Sequence, residues 1–323
     1  MRKILLILVA LVGVCLHTSA QGMTATLQSG DSLSVFYGAS AFSEAYIEAK
    51  DGDQITLSAG TFYAPYENIT KSVKITGIGA FEDTGNTIIN SLNVSAEDAR
   101  IEGVRFTGTL YVSGSNNLII KRSWIEELDA SKEYKNALFD QSVLMEIKGM
   151  ENVMGFTFKN CTIKRFQSTN KTTSIGNFLN CIIYEWGSHS KYSWESNISK
   201  QPYAIYKNCI LGSYFSSSIT VNPPSEFYYN VFCDDYYTDH IKFNDCINVN
   251  NSTVKKEGLY SKAVYPAQRM SVDLGDDNTV VGPYGGTGFS QYPAIPRILS
   301  QSIDGSTNDE GKINVKIEVK AEN

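Results

Sequence analysis

The sequence predicts an all-β protein: a right-handed parallel β-helix (solenoid) with an N-terminal capping helix and a C-terminal β-hairpin tail. Three observations carry this expectation. Six-residue segments recur, their period is about 20 residues, and the patterns that the rival solenoids need are missing. Phe158–Ile163, Phe178–Ile183 and Tyr206–Leu211 are the clearest copies, each with Asn-Cys at its centre. Tyr228–Cys233 and Phe243–Asn248 are looser, and Ile101–Phe106, Ile120–Ile125 and Phe139–Leu144 fit the same frame upstream. The third positions are 103, 122, 141, 160, 180, 208, 230 and 245. Such a period marks a solenoid. No copy carries the Leu-x-x-Leu-x-Leu run of a leucine-rich repeat, and amphipathic helices are nearly absent.

A repeat this short holds strands joined by bends and little else. Apolar residues fall at hexad positions one, four and six. Positions four and six share a strand face. Position one belongs to a separate strand, before a bend at position three. Asn, Gly or Asp fills most third positions, the residue types that best tolerate left-handed backbone. Stacked Asn side chains there can bond to one another as an amide ladder, with Arg122 and Gln141 as exceptions that weaken it.

Residues 40–49 read as a helix that Ser40 can cap, with Phe42, Ala45, Tyr46 and Ala49 on one face. Placed over the first coil, it would hide open backbone edges. Asp51–Phe62 reads as a strand and tight turn, and Ile69–Gly79 as another strand pair. The period stops near residue 258. Residues 297–303 and 312–320 then read as two strands joined by a polar turn, with Ile313, Val315, Ile317 and Val319 alternating with polar residues. The expected organisation is a signal peptide at 1–20, the capped β-helix at 21–258, and a tail at 259–323 that packs on or caps the solenoid.

The first residues carry the signal-peptide pattern: Arg2 and Lys3, an apolar run from Ile4 to Leu16, and small residues at Thr18 and Ala20. That run is too short to cross a bilayer comfortably, and no transmembrane segment follows it. A secreted, periplasmic or cell-surface location after cleavage near Ala20 is therefore expected. The formal net charge of −6 comes without a basic stripe, so nucleic acid is not an expected partner. Cys161, Cys181, Cys209 and Cys246 fall at hexad position four and read as small buried side chains in a column. Neither a disulfide framework nor a zinc site has the spacing it needs, so no metal or cofactor is expected.

The segment Gly52–Phe62, followed by Ile69–Gly77, resembles the opening of pectin-lyase-like right-handed parallel β-helix proteins. The Asn-Cys hexads resemble their later coils. Gly282–Gly286, Tyr292–Ile298 and Gly311–Ile317 are similar to the ending of many secreted or surface-exposed bacterial members. The resemblance covers nearly all of the chain after the signal and implies fold and export. Relatives with known activity are mostly polysaccharide lyases and hydrolases, but no catalytic signature of theirs maps onto this sequence.

Two regions could carry chemistry. Asp234, Asp235, Asp239 and His240, with Lys242 nearby, form the best acidic cluster and are the candidate catalytic residues. The plainer reading of the same residues is a polar loop between two coils, because loops gather Asp for turn geometry alone. Lys164-Arg165 could face an acidic sugar or form a solvated bend. The long interval between positions 180 and 208 holds Tyr184, Glu185, Trp186, His189, Tyr192, Trp194, Glu195 and Tyr203. Of these, Trp186, His189, Tyr192 and Trp194 are the candidate carbohydrate-binding residues, because exposed rings stack on sugar C–H faces. The same tryptophans could instead fold the insertion back onto the solenoid. The leading expectation is an exported, non-catalytic protein that binds glycan or another extracellular partner such as a surface protein. The alternatives are a polysaccharide lyase or glycoside hydrolase acting on acidic polysaccharide, and a structural or adhesive surface protein.

Overall fold

The structure is a computed structural model that describes residues 22–81, 86–114, 116–130, 132, 134–149, 153–166, 175–186, 203–213, 226–232, 242–246, 273–294, 297–303 and 315–320. It is a right-handed parallel β-helix. One sheet stacks Gln54–Leu57, Lys74–Thr76, Arg100–Glu102, Ile119–Lys121, Leu138–Asp140, Val153–Lys159, Ile175–Leu179, Tyr203–Lys207, Glu226–Tyr228 and Lys242–Asn244 in parallel. A second sheet stacks Gly60–Phe62, Thr87–Ile89, Arg105–Val112, Trp124–Asp129, Val143–Lys148, Thr162–Phe166, Ile182–Trp186, Ile210–Ser213 and Val231–Phe232. The strand Arg105–Val112 is long enough to turn a corner. Its first residues pair with Ile88–Ile89 and its last with Leu92–Val94. That corner starts a third face.

Hexad position one forms a single column through the core. Ile55, Ile75, Ile101 and Ile120 occupy it at the early coils, then Phe139, Phe158, Phe178, Tyr206 and Phe227. The rings stack almost parallel, with centroids 4.8, 5.1, 4.8 and 4.8 Å apart from Phe139 to Phe227. This is the inter-strand spacing itself, so the ladder hydrogen bonds and the ring contacts share one distance. Each buried ring contributes about 1.5–3 kcal/mol by burial, with roughly 0.5–1.5 kcal/mol more per stacked pair.

The third positions sit in one column of left-handed residues: Gly103, Arg122, Gln141, Asn160, Asn180, Asn208 and Asp245 all have φ between 48° and 67°. In the coil between Asn208 and Asp245 the bend residue is Tyr229, not Asn230. Phe227 aligns with Tyr206 there, so the hexad starts one residue earlier than the sequence pattern suggests. Asn230 takes position four instead. It is buried, accepts the Cys209 N–H on Oδ1 at 2.9 Å and donates from Nδ2 to the Tyr206 carbonyl at 2.8 Å. Two unmatched backbone groups at a bend fix the register more strongly than an Asn preference at the bend itself.

The same rule accounts for position four at several other coils. The Ser123 N–H donates to Ser142 Oγ, the Cys181 N–H to Cys209 Sγ, and the Asn230 N–H to Cys246 Sγ, at 3.2, 3.4 and 3.5 Å. At these bends the side chain one coil further on accepts the backbone N–H. The thiols of Cys161, Cys181 and Cys209 in turn donate to carbonyls of Phe139, Phe158 and Phe178. Among the described residues Cys161, Cys181 and Cys209 are buried free thiols, as their spacing implies, and Cys246 is half-buried. They act as a hydrogen-bond ladder rather than as plain small hydrophobes.

A second left-handed column has no counterpart in the hexad frame. Asp98, Asn117, Asn136 and Gly155 have φ of 54°, 58°, 55° and 70° and lie five residues before the third positions. The amide ladder expected in the first column belongs here. Asn136 Nδ2 donates to Asn117 Oδ1 at 3.4 Å, and Asn117 Nδ2 to Asp98 Oδ1 at 3.0 Å. At Gly155 a Cβ would collide with the Asn136 side-chain oxygen, so glycine serves both the backbone angle and the close approach.

At the start of the chain, Thr24–Ser29 and Ser32–Tyr37 form a hairpin whose first strand adds antiparallel to Gln54–Leu57. The helix Ala41–Glu48 buries Ala41, Phe42, Ala45 and Tyr46 in the same core as Leu27 and Ile55. Ser40 precedes it but makes no side-chain capping bond. At the other end Arg297–Ile303 pairs antiparallel with Val315–Lys320.

Residues 273–294 lie as a strap along the first bend column and run against the direction in which the coils grow. Gly282 N–H donates to the Asn208 carbonyl at 2.8 Å. Asn160 holds Pro283, Gly285 and Thr287. Gln141 Nε2 donates to the Gly288 carbonyl at 2.7 Å, and the Ala294 N–H donates to Glu102 Oε1 at 2.8 Å. Arg122 and Gln141 do not weaken this column. Arg122 bridges Gln141 Oε1 and Glu102 Oε1, both at 2.8 Å. The strap also covers outward apolar side chains at hexad position five, among them Val143 against Phe289 and Ile210 against Gly282.

Candidate functional site

The third face carries a cleft of about 370 Å³ lined by Asn68, Asn93, Tyr111, Val112, Ser113, Asp129 and Lys132. The backbone places these side chains in rows. Asn93 pairs with Tyr111, Tyr111 with Asp129, and Asp129 with Lys148. Ile69 bridges to Val94, which sets Asn68 beside Asn93. Equivalent residues of successive coils therefore form a track along the solenoid axis, stepped by the inter-strand spacing of about 4.8 Å. The Ile69 N–H bonds to the Asn93 carbonyl at 2.8 Å and the Ser113 N–H to the Val94 carbonyl at 3.0 Å. These bonds hold the track on rigid backbone.

The chemistry of the track is mixed. Tyr111 is 43% exposed and presents its ring at the middle. Tyr66, fully exposed, lies two residues before Asn68. Asn68 and Asn93 supply amides, Ser113 a hydroxyl, Asp129 a carboxylate and Lys132 an ammonium. Beyond Asp129 the row enters an ion-pair network. Lys148 Nζ sits 2.6 Å from Glu127 and 3.5 Å from Glu146, and Arg165 lies 3.9 Å from Glu146. The hydrogen bond to Glu127 holds the Lys148 ammonium above its usual pKa. Lys164 and Arg165 belong to the strand Thr162–Phe166, so neither forms a bend, and Arg165 is committed to Glu146.

Most of the site residues expected from the sequence are not among the described residues. His189, Tyr192 and Trp194 lie outside the described residues, as do Asp234, Asp235, Asp239 and His240. Trp186 ends the strand Ile182–Trp186, its side chain undescribed. Tyr184, in the same strand, is buried and offers no exposed ring. None of the cleft residues stands out as a site in the sequence. Asn93, Tyr111, Asp129 and Lys148 recur once per coil, but they lie outside the hexad frame. Extending the coil period from apolar to polar positions would find these four. Asn68 falls off that period and is placed only by the Ile69–Val94 bridge.

Among the described residues no group of three or more His, Cys, Asp or Glu side chains could hold a metal ion. No described helix is long and apolar enough to cross a membrane. Fold and site define a parallel β-helix protein with a polar, tyrosine-bearing track on one flank. No protein-family model, curated protein or solved structure matches the chain.

Proposed function

We propose that this chain is an exported, non-catalytic β-helix protein that binds a linear glycan along the Asn68–Asp129 track. The carrying observation is the cleft itself: an exposed tyrosine flanked by amide, hydroxyl, carboxylate and ammonium groups at the regular step of the coils. A repeating polymer suits a repeating row, with the Tyr111 ring against a sugar C–H face and the flanking groups on hydroxyls. The fold supports it by presenting the row on rigid strands, which lowers the ordering cost of binding. The basic, apolar and small-residue pattern of Met1–Ala20 supports export, and with it an extracellular ligand. Among the described lining residues Asp129 is the one carboxylate, whereas glycoside hydrolysis takes two. That favours binding over turnover at this cleft. The resemblance of the opening strands and Asn-Cys coils to pectin-lyase-like proteins supports a polysaccharide as the class of ligand.

A panel of soluble neutral and acidic polysaccharides tests the proposal by affinity electrophoresis and calorimetry. At least one should bind, and Tyr111→Ala should weaken it about tenfold without changing thermal stability. Retention of no polysaccharide would overturn glycan binding. Unchanged binding by Tyr111→Ala would overturn the track as its seat, and new reducing ends or unsaturated products would overturn the non-catalytic reading.

A further inference from the structure

We infer that the hairpin strand Ser32–Tyr37 is a self-pairing edge through which two copies of this chain join end to end. Among the described residues this strand is the terminal member of the larger sheet, bonded to Thr24–Ser29 on one side and to nothing on the other. Open edges of this kind are ordinarily blunted by charge, proline or a bulge. Here the strand reads Ser-Leu-Ser-Val-Phe-Tyr and carries none of these. Leu33, Val35 and Tyr37 are 66%, 44% and 72% exposed. They alternate along the strand and so share one face of the sheet, outside the core. Phe36, on the other face, pairs with buried Ala25 and packs against the core.

The occupant that fits this edge is a second copy. A two-fold axis normal to the sheet through Val35 sets Val35 opposite its symmetry mate and Leu33 opposite Tyr37, all on one face. Aromatic–aliphatic and β-branched cross-strand pairs of this kind stabilise antiparallel ladders. With no charge in the strand, such pairing brings no like charges together. The stacking order grows away from this edge through every later coil, so a partner solenoid paired here extends in the opposite direction. The contact is isologous and uses its own edge up, which gives a closed dimer and not a filament. Pairing six residues with three apolar side chains buries on the order of 500 Å² per chain, below the ~800 Å² of a standard interface. The dimer is therefore expected to be weak and concentration-dependent.

Sedimentation velocity of the protein between about 1 μM and 500 μM should show a monomer–dimer equilibrium spanning that range. Val35→Lys places two ammonium groups face to face and should leave only monomer, with the melting temperature unchanged because the side chain is on the surface. Val35→Cys reads the register directly. Its thiol meets its own mate across the axis and should form a disulfide-linked dimer under mild oxidation. Leu33→Cys should not exceed the wild-type background, because its mate lies about 13 Å away along the strand. A protein that stays monomeric at the highest concentration overturns the inference. So does a dimer that survives Val35→Lys, or one that Leu33→Cys locks as readily as Val35→Cys.

Discussion

Asn160 Nδ2 donates to the carbonyls of both Pro283 and Gly285, at 2.9 and 2.6 Å, across 123 and 125 residues of chain. Its Oδ1 accepts from Thr287 Oγ1 at 3.0 Å. One buried amide at a left-handed bend thus serves as the clasp of the strap, binding three neighbouring strap residues through both its nitrogen and its oxygen. Asn160→Ala should cost about 3 kcal/mol, from two stranded carbonyls and a left-handed angle that alanine resists. Asn160→Gly restores the angle and not the bonds, so it should recover about 1 kcal/mol of that loss. Urea denaturation gives both numbers. Faster proteolytic cleavage within 283–288 in both variants locates the effect.

The ring column makes a second prediction. Phe178 stands between Phe158 and Tyr206, nearly parallel to each, and is fully buried. Phe178→Ala should destabilise the protein by about 3–5 kcal/mol, because rigid coils above and below cannot close the gap. Phe178→Leu keeps most of the volume and loses stacking, so its cost should stay below about 2 kcal/mol. Equal losses in chemical denaturation would remove the stack as a specific contributor.

The thiol ladder is sensitive to alkali. Burial, reinforced by bonds to Cys161 and Cys209, pushes the Cys181 thiol well above its usual pKa. The raised folded value means that the unfolded chain loses this proton first. Its stability contribution is complete below the ordinary thiol pKa of about 8.5 and declines as pH rises beyond it. The urea midpoint should therefore fall from about pH 8.5 upward, and Cys181→Ser should flatten part of that fall. In the native protein Cys161, Cys181 and Cys209 should react with a thiol reagent only as fast as the chain opens.

The strap's first anchor responds to acid. Lys207 bonds to Asp276 at 2.5 Å and, with Asn208 Nδ2 at 2.9 Å, holds its carboxyl below the usual carboxylate range. A depressed folded value places the contribution above the ordinary carboxylate pKa and removes it as pH falls through the folded one. Both side chains are partly exposed, so the effect is small, well under about 1 kcal/mol. Hydrogen exchange at the Gly282 amide, which donates to the Asn208 carbonyl, should accelerate on acidification after correction for intrinsic rate. Asp276→Asn should show the acid behaviour already near neutral pH.

Close approach gives a fifth prediction. A Cβ at Gly275 would stand 2.5 Å from Asn208 Cγ and Oδ1. Gly275→Ala should release the 273–282 end of the strap, seen as local loss of exchange protection, while leaving the ring column intact in near-ultraviolet circular dichroism.

Much of the fold is legible because its determinants are local and repeated. An Asn at a left-handed bend and apolar residues at hexad positions one, four and six act within one coil, so the sequence shows them directly. Asn160, Asn180 and Asn208 do fall in one column, since Lys159, Leu179 and Lys207 are ladder neighbours. The coil at Asn230 shows the limit of that logic. An Asn can serve a bend or satisfy a buried N–H, and only the neighbouring coil at Cys209 decides which. The cleft row follows the coil period at Asn93, Tyr111 and Asp129, but that these positions share a face with Asn68 depends on the corner that the strand Arg105–Val112 turns.

Backbone preference and the coil period are enough to specify a parallel β-helix, the course of its inward columns and the burial of Cys161, Cys181 and Cys209, so these are written in the order of the residues. The behaviour of the outward surface is not. The strap docks on the bend column through the carbonyls of Pro283, Gly285 and Gly288, and any residue type carries a carbonyl, so no sequence signal marks them. The track from Asn68 to Asp129 and the open edge at Val35 likewise arise in three dimensions, from which strands become neighbours and which are left without one.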